Sequence, residues 1–176
     1  MIYKKDKLTI DGFNIDFLAK KFDTPIYCYS FKSLKENILN FKKQFQRFDP
    51  LICFAVKSNT NINILREIKE LNLGADVVSI GELMKALKAG IKPQKIVFSG
   101  VGKTSSEIEY AINKKILLIN AESKSEILEI ERIAKKKKKI VNIGVRLNPN
   151  TDANTLSQIS TGKKENKFGV DEKVFL

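Results

Sequence analysis

Residues 51–80 have the sequence LICFAVKSNTNINILREIKELNLGADVVSI, and this stretch decides the fold class. Residues 51–56 are an unbroken apolar run of strand length, residues 61–72 have the apolar spacing of a helix, and residues 75–79 are a second apolar strand. Because the apolar residues of the strands are continuous rather than alternating, both faces of the sheet are predicted to be buried. The stretch therefore predicts two parallel strands joined by a helix that covers the sheet.

The same alternation continues towards residue 147. Helices are predicted over residues 81–89, 105–114 and 123–138, and strands over residues 95–99, 116–120 and 140–147. This pattern is typical of an α/β protein, either a (β/α)8 TIM-type barrel or an open doubly wound sheet. A complete barrel takes about 250 residues. We therefore expect a partial barrel with about the first five β/α units, from a truncated sequence or a fragment.

The first part of the chain has a different pattern. Residues 1–30 are predicted to be an N-terminal extended segment, with a boundary at Thr24-Pro25 and a short strand over residues 26–29. Residues 31–176 are predicted to be the partial barrel, beginning with a helix that Ser30 caps. Apolar residues recur along that helix at steps of three and four and define one amphipathic face: Phe31, Leu34, Ile38, Phe41, Phe45 and Phe48.

Composition narrows the functional classes. The formal net charge is +12, with 32 lysines and arginines against 20 acids, so a nucleic-acid-binding domain is one alternative, with Lys135 to Lys139 as its patch. Lysine is frequent throughout the chain, however, and a general compositional drift is the simpler explanation. Histidine is absent, which excludes histidine-based triads and metal ligands within this chain. Cys28 and Cys53 are expected to be reduced core thiols, and without a signal-peptide or transmembrane run we expect a cytoplasmic protein.

Lys57 is the first candidate for chemistry. It directly follows an apolar strand and therefore lies at a strand's carboxyl end, where barrel enzymes build their active sites. Apolar walls around it would desolvate the ammonium group, lower its pKa and make the amine a nucleophile for an aldehyde such as that of pyridoxal phosphate. From position alone, a lysine that extends into solvent is the simpler interpretation.

Two other charged residues lie within predicted strands. Asp76 and Arg146 would each be costly in an apolar strand without a partner, so each is predicted to be paired. A neighbouring lysine or arginine could pair with Asp76. Inward-pointing acids or an anionic ligand could pair with Arg146, and an ion pair between Arg146 and Asp76 is the main structural alternative. Ser79 and Glu82 have the Ser-x-x-Glu spacing of a capping box, which explains both without any ligand.

Two loops complete the candidates. The sequence SGVGKT at residues 99–104 has the Gly-Lys-Thr of a phosphate-binding P-loop, but the pattern requires glycine at position 97, which is Val97. A turn with Thr104 or Ser105 as helix N-cap is therefore favoured over a nucleotide site. Residues 159–169, ISTGKKENKFG, predict a long basic loop that could meet a carboxylate or phosphate.

Taken together and in this order, these motifs resemble diaminopimelate decarboxylases, which are fold-type III enzymes that depend on pyridoxal 5′-phosphate. The resemblance runs from about residue 24 to the C-terminus. The AVK-x-N motif is shared with decarboxylases of ornithine, arginine and carboxynorspermidine, whereas SGVGKT and ISTG with KFG are more specific. The motifs that carry the resemblance are TPIY (24–27), FAVKSN (54–59), GADVVS with GEL (74–83), SGVGKT (99–104), RLNP (146–149), ISTG (159–162) and NKFG (166–169).

The resemblance implies a fold, a reaction and a set of site residues. The fold would be an alanine racemase-like barrel, with residues 1–30 at the junction to a β-domain. Lys57 would carry pyridoxal 5′-phosphate, and the enzyme would decarboxylate meso-diaminopimelate to L-lysine, the last step of lysine biosynthesis. Asp76, Ser79, Glu82 and Arg146 match positions that line or support the cofactor pocket. The full-length protein would be a cytoplasmic homodimer without metal, nucleic-acid or membrane partners.

Two departures from the family pattern limit these expectations. The family has a histidine after Asp-Ala-x-Thr, where this chain has Leu156. The family's second half, which carries the phosphate-binding glycines and the acid that pairs with the pyridine nitrogen, is not matched, so we expect the chain alone to be inactive. A related polyamine-pathway decarboxylase and a non-catalytic pyridoxal-phosphate-binding protein are the alternatives on the same scaffold.

Overall fold

The structure is a computed structural model that describes residues 2–4, 6–148 and 169–171. The chain divides into two compact units, Met1–Pro50 and Leu51–Leu176. The loop predicted over residues 159–169 lies outside the described residues except for Gly169, and so does Leu156.

The first unit contains a small antiparallel sheet and two helices. Strands β1 (Ile2–Lys4), β2 (Lys7–Ile10) and β3 (Phe13–Asn14) lie in the order β1-β2-β3. Ile10 pairs with Phe13, so Asp11-Gly12 forms a two-residue hairpin turn, with φ of 49° and 90°. Both angles are positive, as the favoured hairpin turns require, and an Asp-Gly pair tolerates them. Helices α1 (Ile15–Phe22) and α2 (Phe31–Gln44) follow.

This unit differs from the prediction in three ways. Within residues 1–30, which the sequence predicts to be an extended segment, residues 2–4 and 6–22 form the sheet, its turns and α1. No strand forms over residues 26–29, where the apolar residues have no neighbouring strand to pair with. Helix α2 begins as predicted, with the Ser30 hydroxyl accepting a hydrogen bond from the Ser33 amide, but it ends before Phe45 and Phe48 and none of its side chains is buried. The two compact units divide after residue 50, and the predicted domain boundary after residue 30 stays a prediction.

The second unit alternates strands and helices. Its strands are β4 (Cys53–Ala55), β5 (Gly74–Val77), β6 (Ile96–Phe98), β7 (Leu118–Ala121) and β8 (Ile143–Val145). The helices between them are α3 (Ile62–Glu70), α4 (Ile80–Lys88), α5 (Ser105–Lys114) and α6 (Lys124–Lys137). Short 3-10 turns occupy Val56–Ser58 and Pro93–Lys95.

The order of the strands decides between the two predicted architectures. The sheet has the order β4-β5-β6-β7-β8, and each neighbouring pair is parallel. A doubly wound sheet reverses its order at a switch point, whereas a barrel adds each strand beside the preceding one. The observed order is that of consecutive units of a (β/α) barrel, and the predicted α/β fold with a partial TIM-type barrel is confirmed.

The fully buried residues of the strands lie on one face of the sheet, because they occupy every second position and are in register across β5, β6 and β7. Positions on the other face, such as Val97 on β6 and Leu118 on β7, are only half-buried, so the predicted burial of both faces is not complete. Ala75 and Val77 lie on β5, Ile96 and Phe98 on β6, and Ile119 and Ala121 on β7, and each has an exposure of 0%. The helices contribute the rest of this core, including Leu65, Ile68, Leu83, Ala86, Ile108, Ala111, Ile130 and Ile133.

Several strands are shorter than the apolar runs that predicted them. β4 ends at Ala55 because Val56–Ser58 turns into a 3-10 helix, with the Ser58 hydroxyl donating to the Ala55 carbonyl over 2.7 Å. The run over residues 140–147 divides into β8 and a two-residue strand β9 (Leu147–Asn148), which pairs in parallel with β10 (Val170–Asp171).

The two cysteines are not both core residues. Cys28 is exposed, so its predicted burial is wrong. Cys53 on β4 is half-buried, and this burial raises the pKa of its thiol, with a smaller contribution from the Asp76 carboxylate. Among the described residues, no helix has both the length and the apolar character needed to cross a membrane.

Candidate functional site

The carboxyl ends of β4 to β8 surround one cavity of about 590 Å³. Parallel neighbouring strands end at the same edge of the sheet, so side chains that follow each strand meet there. Lys57, Asp76 and Arg146, which the sequence predicts as site residues, all line this cavity. The remaining lining residues are Val78, Ser99, Gly100, Asn120, Glu122, Gly144 and Val145.

Lys57 is presented by the 3-10 turn that follows β4. Val56, with an exposure of 0%, anchors this turn in the core, and the Asn59 amide closes it by donating to the Val56 carbonyl over 3.0 Å. The lysine itself is exposed. The predicted apolar enclosure is therefore not formed by the described residues, because the turn directs Lys57 to the open rim of the cavity.

Asp76 is paired, but not with a cation. The Ser99 hydroxyl at the end of β6 donates to its carboxylate over 2.6 Å, and the Asn120 amide on β7 donates to the Ser99 oxygen over 3.0 Å. The prediction of a lysine or arginine partner was wrong, because a neutral hydroxyl on the adjacent strand meets the carboxylate. This chain of hydrogen bonds joins β5, β6 and β7 at the cavity wall.

Ser79 and Glu82 lie at the start of α4. The Ser79 hydroxyl accepts a hydrogen bond from the Glu82 amide over 3.3 Å, and the Glu82 carboxylate accepts one from the Val78 amide over 2.9 Å. Ser79 therefore caps α4 as the Ser-x-x-Glu spacing predicts, whereas the Glu82 carboxylate accepts from the residue before the cap and not from the Ser79 amide of a complete capping box. Their predicted support of a cofactor pocket stays a prediction.

Arg146 follows β8 and contacts Glu122, not Asp76. Its Nη1 atom lies 3.3 Å from each oxygen of Glu122, whose side chain is 4% exposed. An inward-pointing acid was one of the predicted partners, but the sequence did not identify it as Glu122. The available signal was an acid that directly follows the apolar strand β7, like Asp76 within β5 and Arg146 after β8.

The SGVGKT loop contains a buried ammonium group next to the cavity wall. The Lys103 ammonium donates to the Gly100 carbonyl over 2.6 Å, to the Asn120 carbonyl over 2.8 Å and to the Glu126 carboxylate over 2.6 Å. Its side chain is 1% exposed, and an ammonium group has only three hydrogens to donate. Lys103 therefore has no donor left for a phosphate, which is a second reason to reject a P-loop.

The cavity has the features of a site for an aldehyde cofactor. Its volume is in the range of about 300–1,000 Å³ that ligand pockets occupy. Lys57 offers a primary amine at the rim, and Asp76 and Arg146 offer fixed charges on the walls. These residues fit pyridoxal phosphate. In the part of the chain that the structure describes, no group of three or more His, Cys, Asp or Glu residues is placed to hold a metal ion.

Comparison with known proteins also indicates a pyridoxal-binding domain. Residues 31–174 match the family model described as pyridoxal-dependent decarboxylase, pyridoxal binding domain. Diaminopimelate decarboxylase of Helicobacter pylori strain J99 is 52% identical over 161 residues, covering 92% of this chain and 40% of that relative. The same enzyme of Aquifex aeolicus is 44% identical over 169 residues, covering 96% of this chain and 40% of the relative.

A solved structure shows the same backbone. The crystal structure of Helicobacter pylori diaminopimelate decarboxylase complexed with L-lysine has a TM-score of 0.89 and 50% identity, covering 92% of this chain and 41% of that one. The chain thus spans about 40% of the length of the curated relatives it matches. With a family match over most of its length, the chain belongs to the pyridoxal-dependent decarboxylases, through their pyridoxal-binding domain.

Proposed function

We propose that the chain is the pyridoxal-binding portion of a diaminopimelate decarboxylase, which converts meso-diaminopimelate to L-lysine and carbon dioxide. The observation that carries the proposal is Lys57 at the rim of the cavity, after β4, in a chain about half identical to such enzymes. The relative that was crystallised with L-lysine supports this choice of product.

Lys57 supplies the attachment point. Bound pyridoxal phosphate supplies an aldehyde for the lysine amine and an electron-withdrawing ring that accepts the electron pair left behind when carbon dioxide departs. Lys57 lies on a turn anchored by the buried Val56, so its backbone is fixed while its side chain can reach across the rim. A fixed backbone with a movable side-chain amine suits a residue that must bind the cofactor and release it to a substrate amine.

The walls of the cavity are suited to a substrate that carries both positive and negative groups. Arg146 contributes a positive charge, and Asp76 and Glu122 contribute two negative charges, so the wall presents both signs even when the Lys57 amine is bonded to the cofactor. Diaminopimelate carries two amino and two carboxylate groups and therefore also has charges of both signs. Asp76, fixed by Ser99, would orient a cationic group, and Arg146 would orient an anionic one.

Other parts of the proposal rest on the family resemblance. Ser79 and Glu82 would support the pocket by fixing the start of α4 next to β5. The full-length protein would be a cytoplasmic homodimer without nucleic-acid or membrane partners. Because the chain spans about 40% of its relatives, we propose that it is inactive without the rest of the enzyme.

The attachment is tested by mixing the chain with pyridoxal phosphate, reducing the mixture with borohydride and locating the pyridoxyl group by mass spectrometry. We expect saturable labelling of Lys57 above the chain's many other lysines. In Lys57→Ala this label disappears, whereas Lys85→Ala, which removes an exposed lysine bonded to Thr60, leaves the label unchanged. Labelling spread evenly over exposed lysines would contradict the proposal.

A further inference from the structure

The backbone amide and carbonyl of Arg146 are both hydrogen-bonded to neighbouring strands. Its amide donates to the Ala121 carbonyl of β7 over 2.9 Å, and its carbonyl accepts from the Val170 amide over 2.7 Å. These two bonds fix where the side chain begins but leave its direction open. With a side-chain exposure of 41%, the guanidinium is partly open to solvent, so a partner at the cavity wall restricts its orientation.

Glu122 is such a partner, and it is itself firmly anchored. Its side chain is 4% exposed, and a buried carboxylate is stable only when its oxygens accept hydrogen bonds. The Gly100 amide donates to one oxygen over 3.1 Å, and Arg146 Nη1 lies 3.3 Å from both. Gly100 has a φ of +94°, a conformation that favours glycine, so the turn after β6 can present this amide to the carboxylate.

A second ion pair fixes the backbone of Glu122. Its amide donates to the Glu126 carboxylate over 2.8 Å, and the other oxygen of Glu126 contacts Lys103 over 2.6 Å. Lys103 also donates to the carbonyl of Gly100, the residue whose amide contacts Glu122. The turns after β6 and β7 therefore form one hydrogen-bonded unit around Glu122.

We propose that Glu122 is a positioning residue that holds the Arg146 guanidinium against the wall of the cavity. The Lys103–Glu126 ion pair holds Glu122 in turn. The inference rests on the proposed function only for the identity of the ligand that Arg146 faces. Without the Glu122 charge, Arg146 keeps its backbone hydrogen bonds but loses the contact that holds its guanidinium against this wall.

The test measures the reactivity of Arg146 in the full chain, without pyridoxal phosphate. Phenylglyoxal reacts with free guanidines and slowly with paired ones, and mass spectrometry gives a rate for each arginine. Glu122→Gln keeps an oxygen for the Gly100 amide and removes the charge that Arg146 contacts. We expect Arg146 to react about threefold faster or more, as the loss of a modest ion pair implies.

A matched variant on the surface controls for general loosening. Arg132 contacts Glu129 through two nitrogens, at 2.7 and 2.6 Å, on the exposed side of α6. Glu129→Gln should accelerate Arg132 and leave Arg146 unchanged, and Glu122→Gln should do the reverse. Glu122→Asp, which keeps the charge on a shorter side chain, should slow Arg146 relative to Glu122→Gln.

An unchanged Arg146 rate in Glu122→Gln would overturn the proposal, and so would a rise shared equally by Arg146 and Arg132. The latter result would mean that Glu122 serves only general stability. Since no cofactor is present, failure here is distinct from failure of the pyridoxal labelling, which tests the proposed function by itself.

Discussion

Gly144 on β8 has no Cβ atom, and this leaves space for the Asn120 side chain on the neighbouring strand. A Cβ atom there would overlap the Asn120 side-chain oxygen, and Asn120 is the residue that donates to Ser99. Asn120 therefore occupies the space beside Gly144 and continues the hydrogen bonds that reach Asp76.

We predict that Gly144→Ala displaces Asn120 and destabilises the chain by about 1–3 kcal/mol, the usual cost of overpacking. Urea unfolding followed by circular dichroism measures the loss. Gly81→Ala is the control, because its nearest neighbour is the Ser79 hydroxyl at 3.8 Å and it lies in α4, so a gain of about 0.4–1 kcal/mol is expected. Equal effects of both variants would show that the close approach at Gly144 is relaxed without cost.

Sequence alone identified part of the site for a physical reason. Lys57, Asp76 and Arg146 lie in or next to apolar strands, where a charge is conspicuous because it is costly. Their partners could not be assigned, since pairing depends on which turn each acid occupies. Glu122 directly follows an apolar strand, but it also precedes the cap Ser123, where acids are common at helix starts, so its position in the sequence does not decide whether it is buried.

Helices α4, α5 and α6 each begin with a serine or threonine cap followed three residues later by a glutamate. In α5, Thr104 and Glu107 form a capping box, in which the Glu107 amide donates to the Thr104 hydroxyl and Glu107 accepts from the Thr104 amide. The other oxygen of Glu107 accepts from the Ile80 amide, which begins α4, over 3.1 Å. One carboxylate thus links the starts of two neighbouring helices.

This link predicts a pH dependence. The hydrogen bond from the Thr104 amide, with further ones from its hydroxyl and from Ile80, holds the pKa of Glu107 below its ordinary value of 4.5. A lowered pKa means that the ionised acid stabilises the fold above pH 4.5, and that this contribution is lost as the pH falls through the folded-state pKa.

We therefore expect Glu107→Gln to lower the melting temperature at neutral pH, with a difference from the parent chain that shrinks below pH 4.5. Thermal unfolding across the acid range measures this difference. Glu70→Gln removes an exposed acid that contacts Lys69, and it should have a small effect throughout. A Glu107→Gln difference that grows with acidification would refute the assignment.

The elements show where local sequence is sufficient. Helix α5 was predicted over residues 105–114 and spans Ser105–Lys114, because its cap, its apolar spacing and its end signals agree. The strand predicted over residues 26–29 failed because apolar residues make a strand only when a neighbour offers backbone partners. The 3-10 turn after Ala55 was missed for a similar reason, since Val56 is as apolar as the strand before it.

The share of the relatives' length that this chain covers limits the activity we expect from it. The chain corresponds to about 40% of its relatives, and five strands of the predicted barrel are present among the described residues. We expect no decarboxylation by the chain alone, and activity after mixing it with the separately produced remaining part of the Helicobacter pylori relative. Release of carbon dioxide and formation of lysine from meso-diaminopimelate are the measurements.

Two controls make this experiment decisive. Lys57→Ala should abolish the restored activity, because the amine that binds the cofactor is lost. Ornithine and arginine should be poor substrates, and a preference for either would favour the polyamine-pathway alternative. Turnover by the chain without its complement would show that the described cavity is sufficient, contrary to our proposal.

Five hydrogen bonds and ion pairs of the site each join one β/α unit to the next. The bonds from Ser99 to Asp76, Asn120 to Ser99, Gly100 to Glu122, Lys103 to Glu126 and Arg146 to Glu122 span between 21 and 24 residues. No link among these has to wait for a distant part of the chain, and short sequence separations favour rapid folding. As the polypeptide leaves the ribosome, each new unit can therefore dock on the previous one and complete its share of the site in the order of synthesis.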